Sequence, residues 1–190
     1  MLLLRYGGAM RLLQFYLENT SLFPTTDKET RHCYISMVYD KILSQYDKID
    51  LLEIGVGKGH SVLLWSKFFP NGRITGIDSN ASDLLIPQVG SNYSIVIGDA
   101  YQIATVEQFG KFDIIIDDGP HSFETQKFTL NHYHKLLKSN GKIIIEDVAS
   151  IDEALLLKSS FANCDLYDLR NVKSRHDDLV IIRRKGVPML

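Results

Sequence analysis

Leu51-Leu52-Glu53-Ile54-Gly55-Val56-Gly57-Lys58-Gly59 decides the fold. Residues 49–54 read as a buried strand and 59–69 as the helix that follows it. The glycines between them permit a tight turn and let a ligand lie close to the backbone. A helix that starts there presents free N–H groups and a partial positive charge. Outward from this point the alternation repeats. Strands are expected over 73–77, 93–97, 112–116 and 142–145, and helices over 82–86, 101–109 and 122–137. Strands that are apolar throughout, separated by helices, indicate a parallel sheet covered on both faces. Asn71-Gly72 and Asn140-Gly141 mark passages into the next strand.

The end of the chain departs from this pattern. Residues 151–160 read as a helix, and 165–169 and 179–184 as strands. The connection between those strands is too short for a helical crossover, so they are expected to pair antiparallel. The fold class is therefore α/β: a Rossmann-like, doubly wound, mostly parallel seven-stranded sheet with a C-terminal antiparallel hairpin. Helices over 10–17 and 30–45 precede it. The expected layout is a single domain, with 1–47 a helical segment packing on a core of 48–190.

Composition narrows the function. With 45% hydrophobic and 23% charged residues in 190, the chain suits one globular domain. A net charge of −2 provides no general attraction for nucleic acid or an anionic membrane, so neither is an expected partner. The two cysteines, Cys33 and Cys164, form no C-x-x-C pair, which fits a reducing, cytoplasmic setting. No apolar run approaches the roughly 20 residues of a membrane helix. Either Met1 or Met10 is a possible natural start, and the C-terminal residues 186–190 are expected to fray.

Asp78 follows Gly57 by 21 positions and ends the second strand, where a carboxylate can accept both hydroxyls of a ribose. A dinucleotide fingerprint would place glycine at position 60, which is His60. The E-x-G-x-G-x-G form, with Glu53, Gly55 and Gly57, fits S-adenosylmethionine better. Asp99, in Gly98-Asp99-Ala100, ends the third strand, where an adenine amino group would lie. The plainer readings are a bare strand-to-helix turn and, for Asp99, a helix cap.

A second cluster lies further along. The fourth strand ends Ile116-Asp117-Asp118-Gly119-Pro120-His121 and the fifth ends Ile145-Glu146-Asp147. Like charges brought together need a compensating cation or proton. Oxygen ligands from Asp118, Glu146 and Asp147 would suit Mg²⁺, and His121 is placed to act as a general base. Each acid taken singly could instead cap a helix. His132, His134 and His176 are weaker candidates; His132 and His134 read as surface or packing residues, and the 171–178 loop as a chain reversal.

Over roughly residues 24–184 the chain resembles the S-adenosylmethionine-dependent macrolide-sugar (mycinamicin/macrocin) O-methyltransferase and cephalosporin-hydroxylase-like family. The likeness rests on Thr26-Asp27-Lys28 with His32 and Tyr34, on Leu52–Gly57, on WSKFFPNGRITGID ending at Asp78, on Ile115–His121 and on Ile145-Glu146-Asp147. The resemblance implies that Asp118, Glu146 and Asp147 hold magnesium and that His121 is the general base. It also implies that Lys28, Tyr34 and Asp117 join Glu53, Gly55, Gly57, Asp78 and Asp99 around the cofactor. The implied reaction is Mg²⁺-assisted methylation of a hydroxyl on a sugar or other small molecule. Pro120 stands where the family usually has serine. The family's macrolide enzymes carry a substantial N-terminal domain, whereas about 45 residues precede the first strand here; an open acceptor pocket, or one completed in a homo-oligomer, is expected. The alternatives are a metal-independent methyltransferase and a catalytically inactive nucleotide-binding subunit. No (N/D)-P-P-(Y/F) motif is present to suggest methylation of nucleic-acid bases.

Overall fold

The computed structural model describes residues 11–186. The alternatives Met1 and Met10, and the expected fraying after Gly186, lie outside those residues. The chain opens with α1 (Leu12–Glu18), a 3-10 turn (Thr20–Leu22) and a π-helix (Ile35–Tyr39) that runs directly into α2 (Asp40–Leu43). The sheet follows: β1 (Asp50–Ile54), α3 (His60–Phe68), β2 (Arg73–Asp78), β3 (Tyr93–Ile97), α4 (Ile103–Val106), β4 (Phe112–Asp117), α5 (Phe123–His132), β5 (Leu137–Ile145), α6 (Ile151–Ser160), β6 (Cys164–Asp168), α7 (Arg170–Lys173) and β7 (Leu179–Arg184).

The sheet has seven strands in the order β3-β2-β1-β4-β5-β7-β6. Strands β1 to β5 pair in parallel, and β7 runs antiparallel between β5 and β6. Alternate side chains enter opposite cores, as the twofold strand period requires. Leu51, Ile114, Ile116 and Ile144 face one core, and Leu52, Ile54, Ile115, Ile143 and Ile145 the other. The first core also takes Leu12, Phe15, Tyr16, Phe23, Tyr34, Ile35, Val38, Tyr39 and Leu43 from the N-terminal segment, packed around Trp65 of α3.

Strand order reverses between β1 and β4, and at such a switch point adjoining loops diverge to leave a crevice at the carboxyl ends. Register then sets the contents of the crevice. Ile54 lies beside Ile77 and Asp117, and Asp117 beside Ile145. Gly55, Asp118 and Glu146 therefore leave the sheet at the level of Asp78, the last residue of β2. Bonds from Gly55 N to Ile77 O (2.9 Å), Asp118 N to Ile54 O (2.9 Å) and Glu146 N to Asp117 O (3.0 Å) hold them there.

Local expectations met four corrections. No helix forms over 82–86. Asn80 Oδ1 accepts from Ser82 N (2.8 Å), Leu85 N donates to Lys58 O (3.1 Å), and Pro87 disfavours helical backbone before it. The helix expected over 101–109 shrinks to α4, and that over 30–45 begins only at the π-helix. The helix expected over 122–137 ends at His132 and passes through a 3-10 turn into a longer β5, which starts at Leu137. There Phe112 pairs with Leu137 and Ile114 with Lys142, so residues 138–141 bulge from the ladder.

Candidate active site

A cavity of about 510 Å³ opens at the switch point, a size that suits a small molecule. Gly55, Gly57, Gly59, Asp78, Asp99, Tyr101, Asp118 and Pro120 line it, and Thr25, Thr26 and Asp27 of the N-terminal segment close one side. The glycine turn is built as its composition demands. Gly55, Gly57 and Gly59 all have positive φ, and a Cβ on Gly55 would lie 2.0 Å from the Asp118 carbonyl oxygen. Only glycine lets these two loops touch. Asp78 Oδ2 accepts from Val56 N (2.8 Å) and Gly57 N (2.9 Å), which locks the turn against the end of β2. Asp99 accepts from Tyr101 N (2.8 Å) and Gln102 Nε2 (2.9 Å).

Four residues expected at the cofactor do not line the cavity; they lie beneath it. Lys28 is only 2% exposed. Its Nζ donates to Glu146 Oε2 (2.7 Å) and Asp118 Oδ2 (2.8 Å) and lies 3.4 Å from Glu53 Oε1. Glu53 is fully buried, and its Oε2 accepts from Trp65 Nε1 (3.1 Å). Tyr34 donates to Asp147 Oδ1 (2.5 Å). Asp117 Oδ1 accepts from Tyr101 Oη (2.9 Å) and Gly119 N (3.2 Å). The sequence signal for these positions was their nearness to the motifs, which does not say whether a side chain faces cavity or core.

Burial alone would lower the Lys28 ammonium, but Asp118, Glu146 and Glu53 together raise it well above its ordinary value. Lys28 is therefore held as an ammonium at neutral pH. Three carboxylates share this one cation, and burial drives the Glu146 carboxyl upward against the pull of Lys28. Burial likewise raises Asp117, to about 6.

At the rim, Asp118, His121 and Asp147 each present one ligand atom, all within 4.8 Å of one another. His121 Nε2 lies 3.9 Å from Asp118 Oδ1 and 3.8 Å from Asp147 Oδ2. His121 and Asp147 both adopt left-handed backbone, with φ of 58° and 50°. Such strain in non-glycine residues gathers at functional sites. Glu146, expected alongside them as a ligand, turns inward instead, its oxygens held by Tyr39 and Lys28. The two carboxylate oxygens within that span fit a hard divalent cation, with the His121 ring beside them.

Several contributors carry no sequence signal of their own. His32 had no role beyond its place in a motif, yet it is buried against Asp147 and Asp178. Burial would lower its imidazole, but Asp27, Asp147 and Asp178 raise it. Gln126 donates through Nε2 to Glu146 O at 3.0 Å. Asp178 ends a polar loop and carries no local signal at all. His176 is exposed, and His132 packs on Phe128, as its surroundings suggested.

Comparison with known proteins adds the family. The profile of the methyltransferase domain matches residues 46–178, well over half of the chain. The chain belongs to the methyltransferase domain family. Among curated relatives of this methyltransferase domain, mycinamicin VI 2''-O-methyltransferase of Micromonospora griseorubida is 30% identical over 124 residues, which cover 58% of this chain and 30% of that protein. Demethylmacrocin O-methyltransferase of Streptomyces fradiae is 29% identical over 127 residues, with the same coverage. The chain thus spans under a third of these relatives' length. In three dimensions, MycE methyltransferase of the mycinamycin pathway, in complex with Mg, SAH and mycinamycin VI, superposes with a TM-score of 0.68. It is 23% identical, and the match covers 91% of this chain and 56% of that one. A fibrillarin/Nop5p complex superposes with a TM-score of 0.58 at 18% identity, over 73% of this chain and 74% of that one. These likenesses establish a shared fold. Among the described residues, no helix is long and apolar enough to cross a membrane.

Proposed function

We propose that this domain transfers a methyl group from S-adenosylmethionine to a hydroxyl of a sugar or other small molecule, assisted by a divalent cation. The observation that carries the reading is one continuous arrangement. Asp118 lines the glycine-turn cavity, and His121 Nε2 lies within 4 Å of both Asp118 and Asp147.

Gly55 and Gly57 would admit the cofactor against the backbone, and Asp78 and Asp99 would meet its ribose and adenine. When bound, the cofactor supplies an electrophilic sulfonium methyl group and the cation lowers the pKa of a hydroxyl it touches. Asp118 Oδ1 and Asp147 Oδ2 would hold the cation, and Glu146 would join them only by giving up Lys28. His121 Nε2 would take the hydroxyl proton, and the two neighbouring carboxylates would stabilise the resulting imidazolium. The rigid ends of β1, β4 and β5 would orient the reactants, which contributes more than any single contact.

The curated relatives are named as O-methyltransferases, and two of the names include a glycosyl group, L-olivosyl and α-L-rhamnosyl, which supports a sugar hydroxyl as acceptor. Only part of their length is matched, so the acceptor class, rather than macrolides, is what carries over. A metal-independent transfer is the second reading. It is favoured by Lys28, which already places a positive charge on Asp118 and Glu146.

Calorimetric titration with S-adenosylmethionine, with and without Mg²⁺, separates the two. Cofactor binding in the wild type, with a Mg²⁺ site that Asp118→Ala removes, is the expected result. Cofactor binding with no Mg²⁺ site supports the metal-independent reading, and no cofactor binding refutes both.

A further inference from the structure

The 169–178 connection does more than reverse the chain between β6 and β7. Its last residue, Asp178, is fully buried, and its Oδ1 accepts from His32 Nδ1 at 2.7 Å. The same nitrogen lies 3.4 Å from Asp147 Oδ1. The His32 ring stacks on Tyr34 at 4.8 Å, and Tyr34 Oη donates to that same Asp147 oxygen. The other oxygen, Asp147 Oδ2, faces His121. The carboxylate is thus divided: Oδ1 belongs to a buried chain of aromatic and acidic groups, and Oδ2 belongs to the rim.

The backbone needs the same support. Asp147 sits at φ 50°, a conformation that costs a non-glycine residue on the order of 1–2 kcal/mol. Val148 N donates to Leu179 O (3.1 Å), which ties the turn to the residue after Asp178. The Lys173 ammonium reaches Thr30 O (3.3 Å), so the loop also holds the segment that carries His32.

We propose that Asp178, acting through His32, is a positioning residue. The pair fixes the Asp147 carboxylate so that Oδ2 alone points toward Asp118 and His121 and is offered to the cation. This inference rests on the metal-assisted reading above. Groups that orient a metal ligand typically change metal affinity about 10–100-fold when removed. Neither Asp178 nor His32 lines the cofactor cavity, so cofactor affinity should not follow.

The test measures Mn²⁺ binding by electron paramagnetic resonance and S-adenosylmethionine binding by calorimetry, on His32→Ala, Asp178→Ala and the double variant. The expected result is a roughly tenfold weaker Mn²⁺ site in each single variant, no further loss in the double, and cofactor affinity within about twofold of wild type. Unchanged Mn²⁺ affinity, or losses that multiply in the double variant, would overturn the proposal while leaving the function intact. A wild type that binds no Mn²⁺ would overturn the metal-assisted reading, and this inference with it. Should Asp178→Ala fail to fold, the near-isosteric Asp178→Asn and the smaller polar His32→Asn decide, with a weaker Mn²⁺ site expected and no loss refuting the proposal.

Discussion

Replacing Lys28 with methionine tests the physical account of the site most severely. Methionine keeps much of the length and volume of the stem and removes the charge. The Lys28 side chain is 2% exposed and binds Glu146 at 2.7 Å and Asp118 at 2.8 Å, with Glu53 at 3.4 Å. Removing one partner from a buried ion pair costs about 3–5 kcal/mol, because the partner charge stays buried and unpaired. A domain of this size holds on the order of 5–15 kcal/mol in all, and about 2–4 °C of Tm follows each kcal/mol. Lys28→Met should therefore lower Tm by about 6–20 °C at pH 7, read by circular dichroism and confirmed by urea titration. The sign of the pH dependence is also set. Burial already raises the Glu146 and Glu53 carboxyls in the folded state against the pull of Lys28, and without the ammonium they rise further. The native variant then binds more protons and loses stability as pH rises. The deficit relative to wild type should widen between pH 4 and pH 7, and Glu146→Gln added to Lys28→Met should recover part of it. A loss below about 1 kcal/mol at pH 7 would show that these acids do not depend on Lys28.

Further outcomes follow from the same geometry. Gly55→Ala and Gly57→Ala both place a side chain in left-handed backbone, at about 1–2 kcal/mol each. The Gly55 substitution adds a collision with the Asp118 carbonyl, whereas a Cβ on Gly57 meets nothing within 4 Å. Urea unfolding should show the Gly55 variant less stable than the Gly57 variant by a further 1–3 kcal/mol, roughly, and equal losses would contradict the close approach of the two loops. Asp117, raised by burial to about 6 from 3.8, binds its proton more tightly folded than unfolded. It therefore withdraws stability as pH rises through that window, by about 3 kcal/mol once ionised. Asp117→Asn removes this dependence, so its stability measured against wild type should rise by about that amount from pH 4 to pH 7. A flat difference would show that Asp117 is not buried as an acid.

Much of this molecule was legible in the chain itself. Apolar runs alternating with helices, and the short final connection, determined a mostly parallel sheet with an antiparallel end, because strand burial and connection length are local constraints. The glycine turn, Asp78 and Asp99 were legible for a related reason: backbone conformation and strand ends leave marks at fixed spacing. The absence of a helix over 82–86 was not, since the bond Asn80 Oδ1 accepts from Ser82 N and the Leu85 N contact with Lys58 O outweigh weak propensities there. Only the tertiary structure decided which acids line the cavity and which are turned onto Lys28. Glu53 and Glu146 look like site residues in sequence, yet both are turned onto Lys28, 25 positions before the first of them and 118 before the second. The pairing of His32 with Asp178, 146 positions apart, is equally silent in sequence. Charge neutralisation in a buried space depends on distances through the fold, and no local pattern of residues encodes those distances.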